Sequence, residues 1–459
     1  MINRRRFLQS VTAAAIAPSL IQSCRTGDDR MPALRQDPNS IIEVPEGFSY
    51  NVVSTQGELM SDGLRVPGAH DGMAAFEGDN GRIILISNHE LYTLQINDGP
   101  FGENFDRLPE SVKARVYDRG GDRTPCIGGT TTTIYNSSTG EAEQQFLSLS
   151  GTEFNCAGGK TPWGSWLSCE ECFEDPGEAV NEWQTRYRRD QRHGYVFEVP
   201  ASATGLVEPR PIKDMGRFMH EAAAVHEPTG TVYLTEDQWH SLFYRFLPHV
   251  PGQFHDGGRL QALAIPGEPS KKTHNWEAVD IRLNAPLPTQ WIDLDNVDGD
   301  EDDLRKRGAA AGAATFARVE GLTVAGNQFA FTCTAGGPAR LGQVFTYKPS
   351  PFEGTDKEQS APGTLTLIAE SNENSLLKSA DNLAMAPWGD LILCEDTEGF
   401  ANSCKLVGMR SDGSQYLVAN NAYSDSELAG VCFSPDGKIL FVNIQYPGMT
   451  IAITGPWPS

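Results

Sequence analysis

A six-bladed β-propeller is the fold class that the sequence predicts, and three observations predict it. A phrase made of a glycine, an apolar β-run and a polar residue six positions after the glycine recurs six times: GRIILIS (81–87), GSWLSCE (164–170), GTVYLTE (230–236), GNQFAFT (326–332), GDLILCE (389–395) and GKILFVN (437–443). Most copies follow another β-like run that ends in a Pro, Asp or Gly turn, as in HEAAAVHEPTG (220–230), DNLAMAPWGD (381–390) and ELAGVCFSPDGK (427–438). Each repeat therefore reads as a hairpin. The repeat glycines are 83, 66, 96, 63 and 48 residues apart, too irregular for a solenoid, and six hairpins are too many for one flat sheet.

The elements follow in chain order. The first 24 residues, MINRRRFLQSVTAAAIAPSLIQSC, carry Arg4, Arg5 and Arg6, then an Ala-rich apolar run without an acid and too short to span a bilayer. They read as a twin-arginine export signal, which places the protein in the periplasm or outside the cell. Cys24 is a candidate lipid-attachment site. Residues 25–45 read as a linker and 46–459 as a single propeller domain. The formal charge is −23, and removing residues 1–24 takes away three arginines and no acid, leaving −26. Nucleic acids and anionic membrane surfaces are poor partners for such a surface. The nine cysteines show no small disulfide framework.

The residue that opens the first strand of each hairpin, 6 to 10 positions before the repeat glycine, is Asp71, Cys156, Glu221, Glu320, Asp381 and Glu427 in turn. Inner strands of a propeller line its axis, so these six side chains should converge at one mouth. Bare carboxylates at about 4 Å repel by several kcal/mol per pair even at an effective dielectric near 20, so a cation is expected among them. The ends of the following strands offer more acids: Glu90, Glu170 and Glu171, Glu236 and Asp237, Glu395 and Asp396. Carboxylates are hard donors suited to Ca²⁺, Mg²⁺, Mn²⁺ or Fe³⁺. Cys156 is either a buried structural cysteine or a thiolate that favours a transition ion such as iron.

In FARVEGL (316–322), Arg318 and Glu320 stand two apart, which on a strand puts both on one face. Either they pair, or Glu320 faces metal and Arg318 offers its fork to an oxyanion. CEEC (169–172) runs through a strand end and is given no zinc role, and the acidic run DLDNVDGDEDD (293–303) reads as a solvated charge run.

Several phrases together resemble the PhoX-type alkaline phosphatases: SNHE (87–90), NCAGGKTPWGSWLSCEE (155–171), GRFMHEAAAV (216–225), VYLTED (232–237), GAATFARVEGLTV (312–324), DNLAMAPWGDLILCED (381–396) and ELAGVCFSPDGKILFVNIQYPGMT (427–450). The resemblance implies a twin-arginine-exported phosphomonoesterase with Fe³⁺ and Ca²⁺ at the propeller axis. It puts the iron thiolate on Cys156 and carboxylate ligands on Glu170, Glu171, Glu221, Glu320 and Asp381, with Glu90 and Glu427 added. Arg318 becomes the phosphate-binding residue, and Glu395 or Asp396 the proton donor to the leaving alkoxide. Val319 stands where the family pattern has proline. The implied substrate is a small phosphate monoester and the expected state a monomer. Two other readings use the same acidic mouth: a calcium-dependent lactonase on a six-bladed propeller, which needs neither Cys156 nor Arg318, and a non-catalytic calcium-binding propeller.

Overall fold

The computed structural model describes residues 31–121, 124–180, 186–396 and 404–458. Six antiparallel sheets follow one another as blades I to VI of a propeller. From the axis outward, blade I holds His70–Glu77, Arg82–His89, Gly128–Asn136 and Glu141–Thr152, and blade II holds Asn155–Lys160, Ser165–Glu170 and Val196–Pro200. Blade III runs from His220–His226 and Thr231–Glu236 to Gln290–Asp293, and blade IV from Val319–Ala325 and Gln328–Cys333 to Leu287–Pro288. Blade V begins with Ala380–Met385 and Leu391–Glu395, and blade VI with Leu428–Phe433 and Ile439–Ile444. A separate hairpin pairs Gly177–Val180 with Arg186–Arg189.

The repeated phrase has a local cause. Gly81, Gly164, Gly230, Gly326, Gly389 and Gly437 all have φ between 71° and 99°, the left-handed region that strains any residue with a Cβ. Each closes the turn after which its blade's second strand begins.

Chain closure follows from strand pairing across the sequence. Ser49–Thr55 pairs with Met449–Thr454 as the outer strand of blade VI. Ile42–Pro45 pairs with Asn420 and Asn421 in blade V, and Leu34–Arg35 lies beside it. The latter two strands fall inside the stretch read as a linker, and the propeller takes them up because Ile42 and Val44 bury one face while Asp37 holds the Ile41 and Ile42 amides. The signal read at residues 1–24 lies outside the described residues.

The innermost strands are rich in Gly and Ala because they pack backbone to backbone. A Cβ on Gly72 would meet Ala157 Cα at 2.5 Å, one on Gly159 the Ala223 carbonyl at 1.9 Å, and one on Gly321 the Asp381 carbonyl at 2.3 Å. Further out, aromatic rings fill the space between blades III and IV. Phe331 stacks on Phe243 at 4.6 Å and on Phe345 at 5.2 Å between ring centroids. Truncating a wholly buried ring leaves a cavity that its neighbours cannot fill, so Phe331→Ala is expected to cost about 3–5 kcal/mol in denaturant unfolding. A loss under about 1 kcal/mol would show that this layer is not rigid.

The acidic run is exposed or half-exposed, as read from sequence, and several of its acids are also paired. Arg307 meets Asp295 and Asp303, Arg305 meets Asp302, and Asp298 accepts from Tyr195 Oη at 2.6 Å. These contacts fold the run against blades II and III, ahead of the short helix Leu304–Ala310.

Candidate metal centre

In all six blades the register between the first and second strand breaks at the axial end: between His70 and Met73, Asn155 and Gly158, His220 and Ala223, Val319 and Leu322, Ala380 and Leu383, and Ala429 and Cys432. Bulges of this kind re-aim a side chain. In five blades the first bulged residue is Asp71, Cys156, Glu221, Glu320 or Asp381. Blade VI departs from the register assigned by sequence: its bulge position is Gly430, not Glu427. A Cβ on Gly430 would meet the Asp71 carbonyl at 2.2 Å. Glu427 instead enters the mouth from the loop just before that blade's first strand.

Polar residues near the ends of the second strands fix these bulges by reaching across to the next blade. Asn88 donates to the carbonyls of Cys156 and Ala157 at 2.9 and 2.7 Å. Thr235 donates to Glu320 O at 2.6 Å, Thr332 to Asp381 O at 2.8 Å, and Asn443 to Asp71 O at 2.5 Å. This girdle holds four of the six bulges by a neighbouring blade's side chain. Sequence reading missed it, although Thr332 and Asn443 end two copies of the repeated phrase.

The acids at the second-strand ends divide by alternation. Of each adjacent pair, one member turns into the sheet and the other faces the axis. Glu170 accepts from His193 Nδ1 at 2.6 Å and from the amides of Glu153, Gly194 and Tyr195, whereas Glu171 faces Cys156 and Glu221. Glu236 accepts from Tyr244 Oη at 2.6 Å, whereas Asp237 faces Arg318. Glu395 accepts from the Lys378 amide at 2.8 Å and lies 3.5 Å from Lys405 Nζ, whereas Asp396 lies 3.8 Å from Arg318 Nη1. Glu170 and Glu395 are thus placed away from the axial group, their oxygens already taken by backbone and cation.

The axial group itself is dense in charge. Donor atoms of Asp71, Glu90 and Cys156 lie within 4.8 Å of one another, as do those of Cys156, Glu171 and Glu221. Gln445 Nε2 bridges Asp71 and Glu90, and Thr334 Oγ1 donates to Glu320. Burial first, then the neighbouring carboxylates, pushes Glu90, Glu171, Glu221, Glu320 and Glu427 well above the ordinary glutamate range. Burial likewise lifts Asp71 to about 7 and Asp381 to about 8. The Cys156 thiol is pushed up by the same two causes. Asp71 Oδ1 and Glu221 Oε1 are buried and accept no hydrogen bond. Buried acceptors without donors cost about 1–3 kcal/mol each, and a cation removes that cost. Hard oxygens around one thiolate make a donor set that fits metal ions.

Arg318 does not reach the site by strand alternation. It precedes the strand and has φ 53°, a left-handed conformation that a non-glycine residue adopts only under constraint. Its Nε and Nη2 grip Asp237 at 2.8 and 2.7 Å, and Nη2 lies 3.1 Å from Glu320 Oε1. The ion pair and the axial orientation considered from sequence both occur. Glu320 first, then Asp237 and Asp396, keeps the guanidinium charged.

The comparisons decide the family. The model of the family described as alkaline phosphatase PhoX matches residues 30–140 and 127–448. The chain belongs to the PhoX alkaline phosphatase family. Like the other members of that family it is a metal-dependent phosphatase, a hydrolase. A solved structure of Pseudomonas fluorescens PhoX in complex with vanadate, a transition state analogue, aligns with a TM-score of 0.66 at 17% identity, covering 93% of this chain and 97% of that one. The β-propeller domain of Myceliophteria thermophila Cps50 (Swd1) aligns at 0.40 and 10% identity, over 86% of this chain and 98% of that one. A Xanthomonas campestris gluconolactonase aligns at 0.35 and 12% identity, over 88% and 100%. Scores at that level carry no argument for a lactonase. No curated protein sequence matches this chain.

Proposed function

We propose that this PhoX-family phosphatase hydrolyses phosphate monoesters at an axial cluster of Fe³⁺ and Ca²⁺ held by Asp71, Glu90, Cys156, Glu171, Glu221, Glu320, Asp381 and Glu427. The observation that carries the reading is the pair of buried, donorless oxygens on Asp71 and Glu221 on either side of the Cys156 thiol. When bound, the ions neutralise phosphoryl charge and activate the attacking water, the two demands of phosphoryl transfer.

The chain's own residues do the positioning. Asp237 occupies Nε and one edge of Nη2, which fixes the plane of the Arg318 guanidinium. Nη1, at 3.8 Å from Asp396, lies beyond hydrogen-bond reach of that acid and is the edge offered to a phosphoryl oxygen. Glu395 is tied to Lys405, so Asp396 is the strand-end acid of blade V on the reacting face.

Iron bound through Cys156 gives a visible charge-transfer band. Purified protein is expected to be coloured, to hydrolyse p-nitrophenyl phosphate at alkaline pH, and to lose the band in Cys156→Ser. A colourless protein whose metal analysis finds calcium without iron would sink the iron assignment.

Export by the twin-arginine route, with lipid attachment at Cys24, is proposed from residues 1–24 alone. Cell fractionation of the Arg4→Lys/Arg5→Lys double variant tests it, with cytoplasmic retention expected.

A further inference from the structure

Glu170, turned away from the axis, meets a second constellation. Asp118 and Cys126 lie in the long connection between the second and third strands of blade I, and Glu153 and His193 belong to the approaches of blade II. All four are fully buried. His193 Nε2 lies 3.2 Å from Asp118 Oδ2 and 3.8 Å from Cys126 Sγ, and Cys126 Sγ lies 3.9 Å from Glu153 Oε2. The donor atoms of Asp118, Cys126 and His193 all lie within 4.8 Å of one another; a tetrahedral zinc ion, with Zn–N near 2.0 Å and Zn–S near 2.3 Å, sets its ligand atoms about 3.3–3.6 Å apart, so small shifts close these three around one ion.

We propose that Cys126, His193 and Asp118 bind a structural zinc ion, separate from the axial cluster, with the Arg189-bound Glu153 beside Cys126. Three further contacts support it. Nδ1 of His193 is held by Glu170 at 2.6 Å, the carboxylate–histidine arrangement that fixes a metal-binding imidazole with Nε2 toward the ion. Thr93 Oγ1 donates to Cys126 Sγ at 3.1 Å, so the sulfur acts as an acceptor. The Asp190 and Gln191 amides donate to Asp118 Oδ2 at 2.8 and 2.9 Å and lock that carboxylate beside Nε2.

Zn²⁺ together with Arg189, which holds both oxygens of Glu153 through Nε and Nη2, offsets the thiolate and the carboxylates of Asp118 and Glu153, while the Glu170 carboxylate keeps its three backbone amides and His193 Nδ1. Zinc uptake releases the thiol proton and the Nε2 proton, while Nδ1 keeps its own for Glu170. Bound there, the ion staples the blade I connection to blade II behind Glu170, whose neighbour Glu171 faces the axis. Its role is to hold that dipeptide in place.

The test uses the full-length protein reconstituted with zinc, then dialysed. Wild type and Cys156→Ala are expected to retain one equivalent that Cys126→Ala loses. X-ray absorption at the zinc edge of Cys156→Ala is expected to show one sulfur near 2.3 Å among lighter ligands near 2.0 Å. Should Cys126→Ala fail to fold, the absorption spectrum of Cys156→Ala decides alone. Equal zinc in wild type and Cys126→Ala, or a shell of light atoms without sulfur, overturns the proposal. Neither result bears on phosphatase activity at the axis.

Discussion

Arg318→Ala is expected to lower kcat/KM for p-nitrophenyl phosphate by about a hundredfold to a thousandfold, the range seen when one preorganised charged donor is removed from a transition state. Most of that loss should fall in kcat, because the charge on the phosphoryl oxygens grows as the reaction proceeds. Backbone strain is not the cause: alanine meets the same penalty at φ 53° that arginine already bears. Arg318→Lys keeps the charge but loses the fork that lets Asp237 and a phosphoryl oxygen be held together, so its activity should fall between the two. The variant also leaves Asp237, Glu320 and Asp396 without their shared cation, so metal content is measured alongside. Wild-type kcat/KM in a folded, metal-loaded Arg318→Ala protein would remove this residue from the reaction.

Stripping the metals is expected to abolish activity and to reverse the way stability depends on pH. In the metal-free protein Asp71 and Asp381 take up protons at about 7 and about 8 because burial disfavours their charge. In the unfolded chain the same groups titrate near 4. A group whose folded value is raised contributes stability that is fully present below its unfolded value and is lost as pH rises through the folded one. Metal-free protein should therefore lose stability steadily from about pH 4 to about pH 8, by several kcal/mol and on the order of 10 °C in melting temperature for a chain of this size. Returning the ions at the alkaline end should restore it, since cations replace those protons among the same oxygens. Calorimetry of chelated and reconstituted protein across that range measures both. A metal-free protein equally stable at both ends would show that these carboxylates are not buried together.

Much of the architecture was legible because each blade is a local object. A glycine forced to positive φ, an apolar run and a polar strand end can be read from a dozen residues, and six copies name the ring. Five of the six inner-strand positions, from Asp71 to Asp381, were equally legible, since a bulge at the axial end of each blade keeps them 6 to 10 positions before the turn glycine. Glu427 was aligned with them by its charge, whereas the true counterpart is Gly430, where a side chain would collide with blade I. That collision is a contact between the two ends of the chain and leaves no local trace.

Composition, periodicity and the six turn glycines determined the propeller and the ring of acids around its axis. What only the folded chain decided was the direction of each member of the acid pairs Glu170–Glu171, Glu236–Asp237 and Glu395–Asp396. Both residues of a pair are equally acidic in sequence. One is neutralised in place by amides, a tyrosine, a lysine or a histidine that arrive from other parts of the chain, and the other is turned by strand alternation toward the axis. The grip of Asp237 on Arg318, across 81 positions, is of the same kind: an electrostatic contact that exists only once the blades have closed.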